Sequence, residues 1–461
     1  MGSPVFKAVP LRLELPAAAD RNLLDEEGFH GRERDVRARH LPKANRVSWR
    51  PMRRVVVTGL GAVTPLGNDA RSTWEAAVAG RSGIDFIRSF DASDFPVRIA
   101  AEVKDFDPST VASPKEVRKL DRNVLLSLAA AKEAVADAKL DSFDPARVGV
   151  VFGTSIGGFL GIMEQHEVLQ QRGPDRVVPT FIPSVLPDAA SGQIAISLGL
   201  RGLNYAPVSA CATGSTAVGE GAEIIRRGDA DAMLAGGAEA CMHPLILAGF
   251  CAMRGLVAED EYPPRASRPF DATRAGFVMG EGAGVLLLEE LEAARARGAR
   301  IYAEVLGYGG SNDAYHMAAP DPEAVGVAEM IRAALKRAGV APEQVDYINA
   351  HGTSTPLGDL AETKAIKDVF GEHAYKLAVS STKSVTGHCF GAAGAIEAMM
   401  CVLAIHEGVI PPTINYDRPD PECDLDYVPN EARRAQVNVA LSNAMGLGGH
   451  NGCVLFGRVE D

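Results

Sequence analysis

The chain has no C-x-x-C pair, no surplus of positive charge and no secretory-type apolar leader. Its apolar runs read as too short to span a bilayer. Its seven cysteines (Cys211, Cys241, Cys251, Cys389, Cys401, Cys423 and Cys453) are odd in number and irregularly spaced. That argues against a disulfide framework or a structural zinc site and for a reducing, cytoplasmic compartment. The formal net charge of −12 argues against bulk nucleic-acid binding or binding to an anionic membrane. An acidic partner would need a local basic island. What remains is a globular composition, 46% hydrophobic and 23% charged over 461 residues, too long for a single core.

Residues 1–51 differ from the rest. The stretch "DEEGFHGRERDVRARHLPKANR" is charged and aperiodic, and it mixes acids with arginine, unlike a transit peptide. It reads as a flexible extension, with Met52 as a candidate native start before the strand-like "RRVVVTGLGAVTPLG".

From Met52 short apolar runs ending in small residues alternate with helical patterns. "VGVVFGTS", "NYAPVSA" and "AMLAGGAE" read as buried strands, and "STAVGEGAEIIRRG" as a helix stopped by Gly228. The pattern restarts after Gly298. This predicts an α/β protein of two similar halves, residues 52–300 and 301–461, behind the 1–51 extension.

Four stretches carry chemistry. In "PVSACATGSTAVG" Cys211 stands at a strand-to-helix turn among residues too small to cover it. Helix-start N–H groups there would favour a thiolate; a buried, inert cysteine is the alternative. In "NAHGTSTPLGDLAE" His351 ends an apolar strand, followed by the hydroxyls of Thr353 and Thr355. In "SSTKSVTGHCFGAAG" Lys383 and His388 fall in a small-residue loop, where a polar site is a better home for the lysine than solvent. "SNAMGLGGHNG" is a glycine turn between strands, suited to presenting a backbone donor. Zinc is disfavoured by the irregular spacing of Cys and His and by the nearby lysine.

Together these stretches resemble the elongating β-ketoacyl-acyl carrier protein synthases, the synthase I/II condensing enzymes of type II fatty acid synthesis, and synthase II in particular. The resemblance runs from Arg53 to Val459 and includes "VVVTGLGAVTPLG", "GDADAMLAGGAEA", "ASRPFDATRAGFVMGEGAG", "DAYHM" and "PPTIN". It implies a thiolase-like fold in a five-layered α-β-α-β-α arrangement and a homodimer. It implies decarboxylative Claisen condensation of an enzyme-bound acyl group with malonyl-acyl carrier protein, with no required cofactor. Cys211 would be the nucleophile, His351 and His388 would bind the malonyl thioester, and Lys383 would hold the polar network. The backbone N–H groups of Cys211 and Met445 would form the oxyanion hole. Thr353 and Thr355 would contact the pantetheine arm, and Ile156 and Phe250 would line the acyl pocket. Asn349, Glu397, Ser442 and Asn443 match a monovalent-cation site of some relatives.

The family's N-S-F-G-F-G-G loop reads here Asn443, Ala444, Met445, Gly446, Leu447, Gly448 and Gly449. Methionine in place of the gating phenylalanine predicts a more permissive pocket. For carrier docking, "SPKEVRKLDRN" offers Lys115, Arg118, Lys119 and Arg122, with Arg176 and Arg254 by resemblance. A type II polyketide ketosynthase would use the same residues. A non-catalytic chain-length partner is disfavoured by Cys211, and a coenzyme A thiolase by the lack of a second cysteine in "SNAMGLGGHNG".

Overall fold

The computed structural model describes residues 52–460 apart from 142 and 260; the expectations for 1–51 lie outside these residues. The first half contributes five strands to a ten-stranded sheet: β1 (Val55–Val63), β2 (Val148–Gly153), β3 (Asn204–Tyr205), β4 (Ala232–Glu239) and β5 (Gly282–Glu290). The second contributes the other five: β6 (Ala303–Asn312), β7 (Tyr347–Asn349), β8 (Ala378–Ser380), β9 (Val439–Gly446) and β10 (His450–Gly457). The spatial order is β3-β2-β4-β5-β1 in one half and β8-β7-β9-β10-β6 in the other, the same permutation twice. Strand directions also match: β2 runs parallel to β3 and β4, as β7 does to β8 and β9. A short antiparallel pairing, Val56 with Glu304 and Val57 with Ala303, joins the halves.

The helices repeat the duplication. Outer helices are α1 (Arg122–Ala138) and α3 (Ala189–Leu198) in the first half, and α6 (Val325–Ala338) and α7 (Pro356–Phe370) in the second. The first half also carries, among other helices, α2 (Phe159–Arg172) and α5 (Pro244–Ala252). The central pair is α4 (Thr213–Arg227) and α8 (Ala393–Glu407), each closed by a left-handed glycine, Gly228 and Gly408. Strand alternation distributes the core: Leu286 and Leu288 of β5 face the central helices, while Val285 and Leu287 face α1 and α3. In β10, Val454 and Phe456 face inward and Cys453 and Leu455 face α6 and α7. Three core clusters between helix and sheet layers give the five-layered thiolase-like arrangement.

Two expectations need correction. The strand read from "NYAPVSA" is confined to its first two residues, Asn204 and Tyr205. The run Phe390–Glu407 is long and apolar enough to cross a bilayer, but it is 89% buried as the central helix.

Candidate active site

After β3 the chain turns through a 3-10 segment, Ala210–Ala212, directly into α4. Ala210 has φ +49°, a left-handed conformation that costs a non-glycine residue energy and persists only where neighbours enforce it. They do: the Thr213 hydroxyl accepts from Ser209 N–H at 3.0 Å and donates to Ala210 O at 2.7 Å. Ser155 Oγ donates to the same carbonyl at 2.8 Å. The turn holds Cys211 at 7% exposure. Its N–H lies in the first turn, where no intrahelical acceptor exists.

Burial pushes the Cys211 thiol up to about 12, outweighing the Leu447 N–H and the Lys383 charge that favour the thiolate. Desolvation thus opposes the expected helix-start stabilisation of the thiolate. The expected second backbone donor also moves. The N–H facing the sulfur is that of Leu447, in the turn after β9. Met445 lies two residues earlier, inside the ladder opposite Asn451. Gly446 lets this turn approach: a Cβ there would stand 2.8 Å from Ser209 O and 3.1 Å from Cys211 N.

His351 lies two residues past the end of β7, and His388 follows a short helix, Lys383–Thr386, bridging to Met279. Their rings are 5.4 Å apart and perpendicular. Burial, then the Lys383 charge, lowers both pKa values well below 6.5, with His388 adding to the effect on His351. Both are neutral at pH 7. Nδ1 of each is buried without a partner. Buried N–H donors without partners are rarer than buried acceptors without them, which favours the tautomer of each ring with its proton on Nε2. The backbone around His351 is held by Glu362, whose carboxylate accepts from His351 N–H and Gly352 N–H, both at 2.8 Å.

Lys383 is 1% exposed, and its ammonium is ion-paired with Glu397 of α8. Burial raises the Glu397 carboxyl to about 7, against the opposing Lys383 charge. Four oxygens of the second half are buried without partners: Glu397 Oε2, Asn349 Oδ1, Ser442 Oγ and Asn443 Oδ1. Ser442 pairs in register with Asn349. An all-oxygen set of this kind fits a hard cation.

Cys211, His351 and His388 line one pocket of about 490 Å³. Phe250, Thr353, Thr355 and Met445 line it too. Thr353 is buried rather than exposed, and its hydroxyl meets that of Thr355 at 3.0 Å. Ile156 is in the apolar cluster that contains Cys211, beside Phe250 and Phe390. Arg254 stands at the pocket wall. Lys115, Arg118, Lys119 and Arg176 are exposed, with Lys119 beside a separate groove at Thr180 and Ser184. Arg122 does not belong with them: its guanidinium grips Glu281 at 2.9 and 2.7 Å and is held in the fold. Sequence reasoning missed Glu239 and Glu362, and it gave Leu447 no backbone role. The available signal was an acid closing a wholly buried strand, as Glu239 closes β4.

Two α/β halves, the first supplying the cysteine and the second the histidines and lysine, define the thiolase-like ketosynthase fold. Within it the chain belongs to the β-ketoacyl synthase family: the N-terminal domain of that family matches residues 52–294 and its C-terminal domain residues 302–417. It is 51% identical over 411 residues to the 3-oxoacyl-[acyl-carrier-protein] synthase 2 of Coxiella burnetii, covering 89% of this chain and 99% of that protein. It is 50% identical over 410 residues to the synthase 2 of Synechocystis, covering 88% and 99%. Among solved structures, a type II polyketide acyl-carrier protein in complex with its ketosynthase bound to the hexaketide aligns with TM-score 0.82 and 36% identity, covering 88% of this chain and 100% of that one. A β-ketoacyl synthase from Burkholderia phymatum aligns with TM-score 0.82 and 35% identity, covering 89% and 100%.

Proposed function

We propose that this chain condenses an enzyme-bound acyl group with malonyl-acyl carrier protein, giving 3-oxoacyl-acyl carrier protein and CO2 in fatty acid chain elongation. The observation that carries the reading is the shared pocket: a cysteine with an N–H facing its sulfur, opposite two neutral histidines. The higher identity to proteins named synthase 2, 51% against 36% for the polyketide ketosynthase, supports elongation over the polyketide alternative.

In the first step the Cys211 sulfur attacks the acyl thioester carbon. Its proton passes to the departing carrier thiol, and the C–S bond to the carrier breaks. The N–H groups of Cys211 and Leu447 stabilise the tetrahedral oxyanion. In the second step malonyl-carrier protein loses CO2, and the electron pair moves onto the thioester oxygen as an enolate. The Nε2–H groups of His351 and His388 donate to that oxygen, a task for which neutral imidazoles suffice. The enolate carbon attacks the acyl-enzyme, the bond to Cys211 breaks, and the sulfur takes up a proton from solvent water. Lys383 and Glu397 hold the polar floor. A monovalent cation held by Asn349, Glu397, Ser442 and Asn443 would supply charge balance there. Raised melting temperature in potassium or sodium against choline chloride is its readout.

Thr353 and Thr355 receive the pantetheine arm, and Lys115, Arg118, Lys119, Arg176 and Arg254 receive an acidic carrier. The assembly is a cytoplasmic homodimer: β3 is an edge strand, and Ile196, Leu203 and Val208 around it are exposed. Incubation with acyl-carrier proteins followed by mass spectrometry of the Cys211 peptide tests the function. An acyl adduct discharged by malonyl-carrier protein is expected; an unmodified peptide at every chain length overturns it.

A further inference from the structure

The Glu239 carboxylate closes β4 and is wholly buried, out of reach of any substrate. Four donors converge on it. Oε1 accepts from the Thr154 hydroxyl at 2.8 Å and from Ile156 N–H at 3.3 Å. Oε2 accepts from Ser155 N–H at 2.8 Å and from Gly391 N–H at 3.1 Å. Three donors come from the turn after β2; the fourth comes from the 3-10 segment that opens α8 in the other half. The carboxylate therefore ties two turns that are far apart in the chain. On one side it fixes Ile156, on the other Phe390, and both belong to the apolar cluster around Cys211. Phe250 stacks on Phe390 at 5.2 Å. The Ser155 hydroxyl, donating to Ala210 O at 2.8 Å, extends the tie to the residue before the nucleophile.

We infer that Glu239 is a positioning residue that sets which acyl chains Cys211 accepts, by clamping the 154–156 turn to the Phe390–Gly391 turn and so fixing the separation of Ile156 and Phe390. The inference rests on the proposed acyl transfer to Cys211 and adds a determinant of its specificity. Only a carboxylate presents acceptor lone pairs on both oxygens to four donors. A glutamine turns an NH2 toward one pair of them, and buried donors without acceptors force the turn to move. An aspartate keeps both acceptors, but one methylene less prevents it from reaching both turns at once. Burial pushes the Glu239 pKa up, against the Thr154 hydroxyl and the Ser155 and Gly391 N–H groups, which favour the carboxylate.

The test compares wild type, Glu239→Gln, Glu239→Asp and Thr154→Val. Rates of Cys211 acylation are read by intact-protein mass spectrometry with acyl-carrier proteins of graded length, beside thermal melts. In Glu239→Gln the ratio of long-chain to short-chain acylation is expected to change about tenfold, because a wall displaced by about an ångström misplaces the reacting thioester. Thr154→Val removes one donor and is expected to shift the ratio in the same direction by less, which keeps the test decisive if Glu239→Gln does not fold. Glu239→Asp is expected to fall between them. A variant loss that scales every chain length equally, or an unchanged profile in a folded variant, overturns the clamp. A wild type unacylated at every length overturns acyl transfer itself, and the clamp's role with it.

Discussion

The starts of the two central helices are the same structure with opposite contents. Ala210 and Phe390 both take left-handed φ, +49° and +43°, before a 3-10 turn and a 15-residue helix. The next residue is Cys211 in one half and Gly391 in the other. At Gly391 the N–H is taken by Glu239, and a Cβ would stand 2.6 Å from Ser155 N. At Cys211 the matching space is left by Gly446, and the N–H of Leu447 faces a sulfur instead of a carboxylate. The duplicated turn creates an unpaired donor twice. One copy is closed by a buried acid; the other stays open as a pocket. Reactivity here comes from what is left unpaired.

The most severe way to break the comparison is to exchange the two positions. Cys211→Ala is expected to lower condensation by about 10⁴-fold or more. Adding Gly391→Cys to it is expected to restore nothing and to lower the melting temperature, because the second turn has no room. Recovered turnover would show the halves interchangeable. Next comes Lys383→Met, which leaves Glu397 buried without its cation and is expected to cost about 3–5 kcal/mol in denaturant unfolding. The Glu397 carboxyl is raised from 4.5 to about 7 on folding, so its contribution is fully present below pH 4.5 and is lost as pH rises through about 7. The defect should accordingly widen with pH; a defect constant across that window would contradict the assignment.

Smaller effects sharpen the second half. Because both histidine pKa values are depressed, malonyl decarboxylation is expected to hold steady from about pH 8 through 6.5, and an inflection at 6.5 would refute two neutral rings. The stability tied to these neutral rings is present above 6.5 and is lost as pH falls below it. The mildest change is Met445→Phe. It is expected to narrow chain-length tolerance by about threefold with Cys211 acylation otherwise intact, since the facing backbone donor is at Leu447. Identical profiles would remove Met445 from the account of specificity.

Much of this was legible in advance. Gly228 ends α4 where the sequence placed the stop, and "AMLAGGAE" is β4 residue for residue. Lys383 reads as better suited to a polar site than to solvent, and it is buried against Glu397. Arg122 was not legible: it reads like its neighbours Lys119 and Arg118, and only the fold brings Glu281 to it. Glu239 reads as the polar end of a strand, and its four donors come from segments 83 to 152 residues away.

The sequence by itself determined the alternation of strands and helices, their duplication, and the positions of the cysteine, lysine and histidines. Those follow from local periodicity, glycine stops and residue chemistry. Only the tertiary structure decided how deeply Cys211 is desolvated, the backbone donor that faces it, and which of two equivalent turns stayed open. Desolvation and hydrogen-bond pairing depend on atoms contributed by distant segments, and no local pattern records them.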